Sequence, residues 1–433
     1  MTEITRRGAL VALGALAGCS ATNPLGGDSE VELDGAALRA VVDDDRPVVH
    51  ERLPIGVGAD HLAASEERAR TLIETVPATL GPDEIPNGAI RERIRKKRGY
   101  AVESLETAAD APTPFERLKA FADARAEAHF AAGAWRAVDD GLTRDDLTDE
   151  AETVRDDRAA FRERWRYVGD DPVAATLVHT AIERRIASGR SDIAIGEPHR
   201  YRPGNPLGVG EITEEIERAR VAVDDAAHLY DRLTAALDDP VDLRERLVGA
   251  RRRLREAFEA ESEGLSSVDP QEPWRVEGVD VEETPAAEAL EELFRPIDPE
   301  HDDGWDETTP AEALTWAHAS FVALEAFTSL REQVREGETF AIESAADVGA
   351  VRTAAVEALR AAEESPSEPA LTRHSTAELA DQLAWVDEQL LNVDESVRAS
   401  WLRNDVSTYL TVAARARATP SASERVAGAL RSG

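Results

Sequence analysis

Five times along this chain a Thr or Asp stands directly before a Pro at the head of an apolar-periodic run: Thr113-Pro114, Asp171-Pro172, Asp239-Pro240, Thr284-Pro285 and Thr309-Pro310. A capping side-chain oxygen satisfies a backbone N–H that the first helical turn leaves without a partner, and Pro brings a pre-set φ to a position that needs no N–H. Thr113 and Thr309 also have a Glu three residues on, Glu116 and Glu312, completing a capping box. Between such starts, apolar residues recur at helical spacing. Leu62, Ala69, Leu72, Ile73 and Val76 line the first face. The pattern predicts helices near 60–76, 88–109, 114–139, 148–168, 172–188, 210–237, 241–262, 310–336, 345–364, 375–391 and 395–417, with a shorter one after Thr284. Trp135, Trp165, Trp316, Trp385 and Trp401 fall within these runs and are expected to fill a core built of Ala, Leu and Val. The expected fold class is therefore all-α, a multi-helix bundle or array. At most a small N-terminal β-hairpin joins it, formed by Ala37–Val42 and Val48–Leu53 around Asp43-Asp44-Asp45-Arg46-Pro47.

A faint internal repeat accompanies the helices. Pro54–Gly58, Glu67–Arg70 and Arg91–Ile94 have counterparts in Pro206–Gly210, Glu217–Arg220 and Arg244–Leu247, while Thr113-Pro114 pairs with Thr309-Pro310 and His179 with His374. Two related helical units fit these matches if the second carries an insertion rich in Pro, Gly and carboxylates at 262–308. Chance matching among Ala-, Glu- and Arg-rich helices is the alternative. A capping box at Ser375 and Glu378 would leave His374 just outside its helix, so the two histidines need not be equivalent.

Charge narrows the function classes. The chain carries 86 acidic against 50 basic residues, a net −36, which argues against nucleic acid as a partner. Only Lys96, Lys97 and Lys119 are lysines; the other basic residues are Arg. Such a composition suits molar salt, where the Debye length is about 3 Å and self-repulsion is screened. Disorder, the other explanation of high charge, conflicts with an apolar fraction of 42% at helical spacing.

The first residues are of another kind. Thr5-Arg6-Arg7-Gly8-Ala9-Leu10 sets a twin arginine before an uncharged run from Gly8 to Gly18, and Leu16-Ala17-Gly18-Cys19 ends it. Eleven residues are too few for a hydrocarbon core that needs about 20 in a helix, so the run reads as a signal peptide. Cys19 is the only cysteine and can form no internal disulfide. These residues resemble the twin-arginine lipoprotein signals of halophilic archaea. The resemblance implies export directed by Arg6 and Arg7 and a lipid on Cys19 as first mature residue, anchoring the protein on the extracytoplasmic face of the cell membrane. The expected organisation is a signal peptide at 1–18, a lipidated tether at 19–46, helical unit 1 at 47–190, and helical unit 2 at 199–420 with its acidic insertion 262–308.

Candidate chemistry is sparse. His179 and Glu183, at i and i+4, can place an imidazole and a carboxylate on one metal, although Ile182 and Ile186 on the same side suit a buried, satisfied histidine. Asp225-Ala226-Ala227-His228 has the carboxylate-x-x-His spacing of di-iron bundles, without the second motif those sites require. Asp298, Glu300, Asp302, Asp303 and Gly304 miss the EF-hand register. No motif for a cofactor, a phosphate loop or a catalytic nucleophile is present. A basic segment, Arg91, Arg93, Arg95, Lys96, Lys97 and Arg98, stands out from the acidic background, and a similar one runs from Arg244 to Arg255. On a helix Arg91, Arg95 and Arg98 share a face and are expected to pair with acidic neighbours. Lys96 and Lys97 are expected to stay exposed, available to an anionic partner.

The sequence thus favours a non-catalytic, membrane-anchored binding or interaction protein that takes a protein partner or an anionic ligand. The alternative is a metal-binding protein or metal-dependent helical enzyme using some of His129, His179, Glu183, Asp225, His228 and His318.

Overall fold

A computed structural model describes residues 31–42, 50–188, 204–298, 305, 309–364 and 366–432. Among them are thirteen α-helices: α1 (Gly35–Arg39), α2 (Ala59–Thr75), α3 (Gly88–Asp110), α4 (Pro114–Asp139), α5 (Thr148–Arg164), α6 (Pro172–Ser188), α7 (Pro206–Ala235), α8 (Arg244–Ser262), α9 (Pro285–Phe294), α10 (Glu312–Arg335), α11 (Ala345–Glu364), α12 (Pro369–Leu391) and α13 (Arg403–Arg431). The all-α expectation holds. Local signals set most of the starts. Thr113 Oγ1 accepts from Glu116 N at 3.2 Å, Asn205 caps α7 ahead of Pro206, Thr284 caps α9 ahead of Pro285, and Asp171 Oδ1 accepts from Val173 N.

The strands correct the hairpin. β1 (Glu32–Asp34) pairs antiparallel with β4 (Ser396–Arg398), in the register Glu32↔Arg398, Leu33↔Val397 and Asp34↔Ser396, so the N-terminal strand meets a partner from near the other end of the chain. Ala37–Val42 is not a strand, because Asp34 accepts from Ala37 N at 3.0 Å and nucleates α1. The turn expected at Asp43–Pro47 lies outside the described residues. β2 (Val168–Gly169) pairs with β3 (Val241–Asp242), so Asp239-Pro240 leads into a strand and α8 begins only at Arg244. Two more helix starts move. α12 begins at Pro369, placing His374 and Ser375 inside it, and α13 begins at Arg403 after a 3-10 turn at Ala399–Leu402.

Helices α2–α7 and α8–α13 form two sets of six in the same order and with matching principal partners, the second set bringing α8 closer to α13 and α11 closer to α12 than their counterparts in the first. Five of the six pairs start 197 or 198 residues apart: 88 and 285, 114 and 312, 148 and 345, 172 and 369, 206 and 403. The pair at 59 and 244 is 185 apart, the longer segment between α8 and α9 making up the difference. In the first set α4 packs on α2, α3 and α7, and α5 and α6 pack on α7; in the second, α10 packs on α8, α9 and α13, and α11 and α12 pack on α13. The matching of Pro54–Gly58 with Pro206–Gly210 is out of phase with this arrangement, since it sets α2 against α7. Nor is 262–308 wholly an insertion: α9 occupies the place of α3 and buries Ala286, Ala289, Leu290, Leu293 and Phe294.

α6 ties the two sets together, packing on α7 and also on α10, α12 and α13. One continuous core runs from Leu118, Phe121 and Leu177 through Leu290, Phe321 and Phe327. In the first set α4 and α7 approach closely at paired glycines. A Cβ on Gly133 would stand 2.2 Å from Thr213 Oγ1, which donates to His129 O at 2.8 Å, and one on Gly210 would stand 2.8 Å from Phe130 O. Trp135 is buried and Trp165 and Trp316 pack against the core, but Trp385 and Trp401 are 51% and 69% exposed, so these two do not fill it.

Candidate functional site

His179 and Glu183 sit one turn apart on α6, and both are engaged within the protein. The Trp165 indole N–H donates to His179 Nδ1 at 3.1 Å, which leaves the ring proton on Nε2, 3.0 Å from Val168 O. The histidine therefore pins β2 to α6. Burial pushes its pKa down to about 4, against a smaller opposing effect of the Val168 backbone, so the ring is neutral. Glu183 faces another way. Its carboxylate accepts from Tyr167 OH at 2.6 Å and from the backbone N–H groups of Ala311 (3.1 Å) and Glu312 (2.6 Å). It thus caps α10, the role expected of Thr309, across 128 residues of sequence. Burial raises the Glu183 pKa, and these bonds oppose the rise. The pair shares no vacant ligand position, and the sequence-predicted metal role does not fit it.

Asp225 and His228 come together with two residues that no sequence motif pointed to, His61 and Arg185. Asp225 is buried; its Oδ1 lies 2.8 Å from His61 Nε2 and its Oδ2 accepts from Arg185 Nε at 3.1 Å. Gly58, the residue before α2, donates its N–H to His228 Nε2 at 3.0 Å. The two imidazoles stack with centroids 4.2 Å apart and planes within 4°. Burial, then the His61 charge, lowers the His228 pKa, which favours a neutral ring in that stack. Both Asp225 oxygens and His228 Nε2 are occupied, so this cluster locks the start of α2 onto α7 and is not half of a di-iron site. Among the described residues no group of three or more His, Cys, Asp or Glu is placed to hold a metal.

About two turns back along α7 from Asp225 lies a buried ion cluster built on Glu217, which is fully buried. It accepts from Arg125 Nε (2.8 Å), Arg68 Nη2 (3.0 Å) and Arg220 Nη1 (2.8 Å), and His129 Nδ1 lies 3.3 Å away. Burial alone would raise the carboxyl pKa. Hydrogen bonds from His129 and Arg68 and the Arg125 charge outweigh it and hold the group well below the usual carboxylate range. The resemblance of Glu67–Arg70 to Glu217–Arg220 has a different meaning in space, because Arg68 and Glu217 are partners. His318 is likewise engaged, its Nε2 2.9 Å from Ser423 Oγ, and burial, then the His374 charge, pushes its pKa down to about 3.

Lys97 is not exposed. It shares a face with Ile94 and Ala101, is 7% exposed, and its Nζ lies 2.7 Å from Glu127 and 3.2 Å from Glu214. It also stands 4.8 Å from the Phe130 ring centroid. Lys96 is exposed, over Tyr100. Arg95 pairs with Glu92 and Arg91 donates to Ile85 O. As a pair, Lys96 and Lys97 cannot present an anion-binding surface. Arg6, Arg7 and Cys19 lie outside the described residues, as do Glu300, Asp302, Asp303 and Gly304.

The opening best suited to a ligand carries none of these residues. Between the end of α10, the 337–344 segment, α11 and α13 lies a cavity of about 310 Å³ lined by Leu330, Phe340, Ile342, Val351, Val406 and Leu410, with Gln333, Glu338, Arg417 and Asp347, whose carboxylate accepts from Ser344 N and Oγ, as polar groups. The lower end of the size range for small-molecule sites is about 300 Å³, and a mostly apolar lining with a few polar groups is their usual make-up. Phe340 holds φ at +52°, a region that bulky L-residues avoid at a cost of order 1–3 kcal/mol. Such a conformation persists where the surroundings over-determine it, and here it sets an aromatic ring at the cavity. Two wider openings are less enclosed: one between α8 and α10 mixes Phe321, Leu324 and Phe327 with Glu261, Glu325, Glu332 and Arg425, and one between α3 and α12 is a polar furrow with Asp110, Asp123 and Glu388.

No helix among the described residues is long and apolar enough to cross a membrane. No curated protein and no solved structure matches the chain. Residues 60–239, from α2 to the segment after α7, match the family model described as Domain of unknown function (DUF8262), and residues 244–428, from α8 into α13, match Domain of unknown function (DUF8264), so the two six-helix sets coincide with two adjoining families.

Proposed function

We propose that this chain is a lipid-tethered binding protein on the extracytoplasmic face of the membrane, exported through Arg6 and Arg7, held by a lipid on Cys19, and without catalysis of its own. The candidate catalytic and metal-ligating side chains are engaged in holding helices together, which favours a scaffold over an active site. The observation that carries the binding reading is the apolar cavity at Phe340. Its make-up suits a small amphiphile, with the apolar body against Leu330, Val351 and Leu410 and an acidic head at the Arg417 guanidinium. Nucleic acid is no partner in this reading.

The test is binding of the lipophilic dye Nile red to the purified protein in molar salt, followed by displacement with a fatty acid. Ala354 lines the cavity and is only partly buried, so Ala354→Phe fills the space with little strain elsewhere. Saturable dye binding that Ala354→Phe abolishes, and fatty-acid displacement that Arg417→Gln weakens at least tenfold, support the proposal. Equal dye binding by parent and Ala354→Phe refutes it.

A further inference from the structure

The first described residue, Val31, accepts a backbone hydrogen bond from Ala399 N at 2.8 Å, which continues the β1–β4 pairing. Two residues beyond Ala399, in the 3-10 turn before α13, stands Trp401, which at 69% has the greatest exposure among the exposed large hydrophobic side chains. Val31 itself is 41% exposed, and the Arg398 guanidinium lies 5.6 Å from the Trp401 ring centroid. No core contact explains an indole so placed.

Its position relative to Cys19 does. Eleven residues, Ser20 to Glu30, lie between Cys19 and Val31. Covalent geometry limits the distance from Cys19 to Val31 to about 40 Å. A fold of this length is roughly 50 Å across. A lipid on Cys19 therefore keeps the Val31 end near the bilayer and the opposite end away from it. An indole has an apolar body and one N–H donor, the make-up that is enriched at the boundary between headgroups and acyl chains. Glu32, Asp34, Asp394 and Glu395 outnumber the neighbouring Arg39 and Arg398, so the face has no net positive charge to attract anionic lipid and contact comes from the indole. We propose that the face carrying Val31 and Trp401 lies on the bilayer surface, with Trp401 inserted into the interfacial layer as a second attachment beside the lipid. This rests on the Cys19 anchor proposed above.

The test uses the mature, lipidated full-length chain reconstituted in molar salt into vesicles of phosphatidylcholine brominated on its acyl chains. Bromine quenches only indoles that reach the bilayer. Quenching that Trp401→Phe removes, and that Trp385→Phe leaves unchanged, supports the proposal, because Trp385 is the other exposed indole and lies on the outer face of α12. Protein that sediments with the vesicles but shows no quenching, or quenching that survives Trp401→Phe, overturns this face and leaves the anchor standing. Protein that stays in the supernatant overturns the anchor, and this face with it.

Discussion

Replacing Glu217 with Gln keeps the shape of the side chain and removes its charge, leaving the guanidinium of Arg125 facing a neutral amide. The Arg125 side chain is 6% exposed and that of Glu217 0%, so water cannot take over. The other partners lose less. Arg220 keeps Glu150 at 2.7 Å, Arg68 is 36% exposed, and Arg125 itself keeps Asp224 at 3.3 Å. Breaking a buried pair by removing one partner costs about 3–5 kcal/mol. For a cooperative unit of 150–250 residues, each kcal/mol shifts the midpoint by about 2–4 °C, so α2–α7 should melt roughly 6 °C or more below the parent. Arg70→Gln is the control, since its i,i+4 partner Glu66 is exposed and such pairs contribute less than about 0.5 kcal/mol. The assay is thermal unfolding in molar salt followed by helical circular dichroism. pH adds a second readout. Because the folded pKa lies below the unfolded value of 4.5, the stabilisation is present above pH 4.5 and is lost as pH falls below it. The gap between parent and Glu217→Gln should therefore narrow in acid. A midpoint for Glu217→Gln indistinguishable from that of Arg70→Gln would refute the reasoning.

Lys97→Gln should destabilise the α3–α4–α7 contact by about 2–4 kcal/mol, by leaving Glu127 and Glu214 without their shared cation, while Lys96→Gln should change stability by less than about 0.5 kcal/mol; denaturant midpoints of the two variants decide this. His179 and His318, with folded pKa values of about 4 and about 3, bind protons less readily than the unfolded chain, so stability should be flat above pH 7 and fall as pH drops from 6.5 toward 4, by roughly 3 kcal/mol for His179 alone. Melting curves at stepped pH check the window. With a net −36, lowering the salt from molar to about 0.1 M lengthens the Debye length to about 10 Å and restores repulsion among the carboxylates, so helical circular dichroism should fall.

Where a residue's role was set by its immediate neighbours, the sequence reading located it. The starts of α3, α4, α6 and α9 follow from caps within three residues, and the start and end of α4 coincide with the expected 114–139. Pro369 shows how a local signal can lose: Ser375 and Glu378 form a well-spaced capping box, but a Pro at the first helical position sits six residues earlier and the helix runs through the box. The polar clusters were illegible for a different reason. Glu183 meets Ala311 and Glu312, Glu217 meets Arg68 and Arg125, and Asp225 meets His61, each partner more than ninety residues away, and no spacing in the sequence encodes those meetings. Lys97 was legible in part. Ile94, Lys97 and Ala101 share a helix face, which marks Lys97 as inward, but the two carboxylates that satisfy it come from α4 and α7. The out-of-phase repeat misled for a related reason: of the residues matched between α2 and α7, Arg68 and Glu217 are each other's partners, whereas Arg70 and Arg218 pair within their own helices.

The anchored-protein account stands most directly on Cys19. The measurement is the intact mass and N-terminal peptide of the protein recovered from a halophilic host capable of twin-arginine export, together with the fractionation of Cys19→Ser. The account predicts a mature chain that begins at Cys19, carries the added mass of a lipid, sediments with membranes and is released from them by Cys19→Ser. A chain that begins at Met1 with an unmodified thiol, or a Cys19→Ser variant recovered wholly in the membrane fraction, would contradict it.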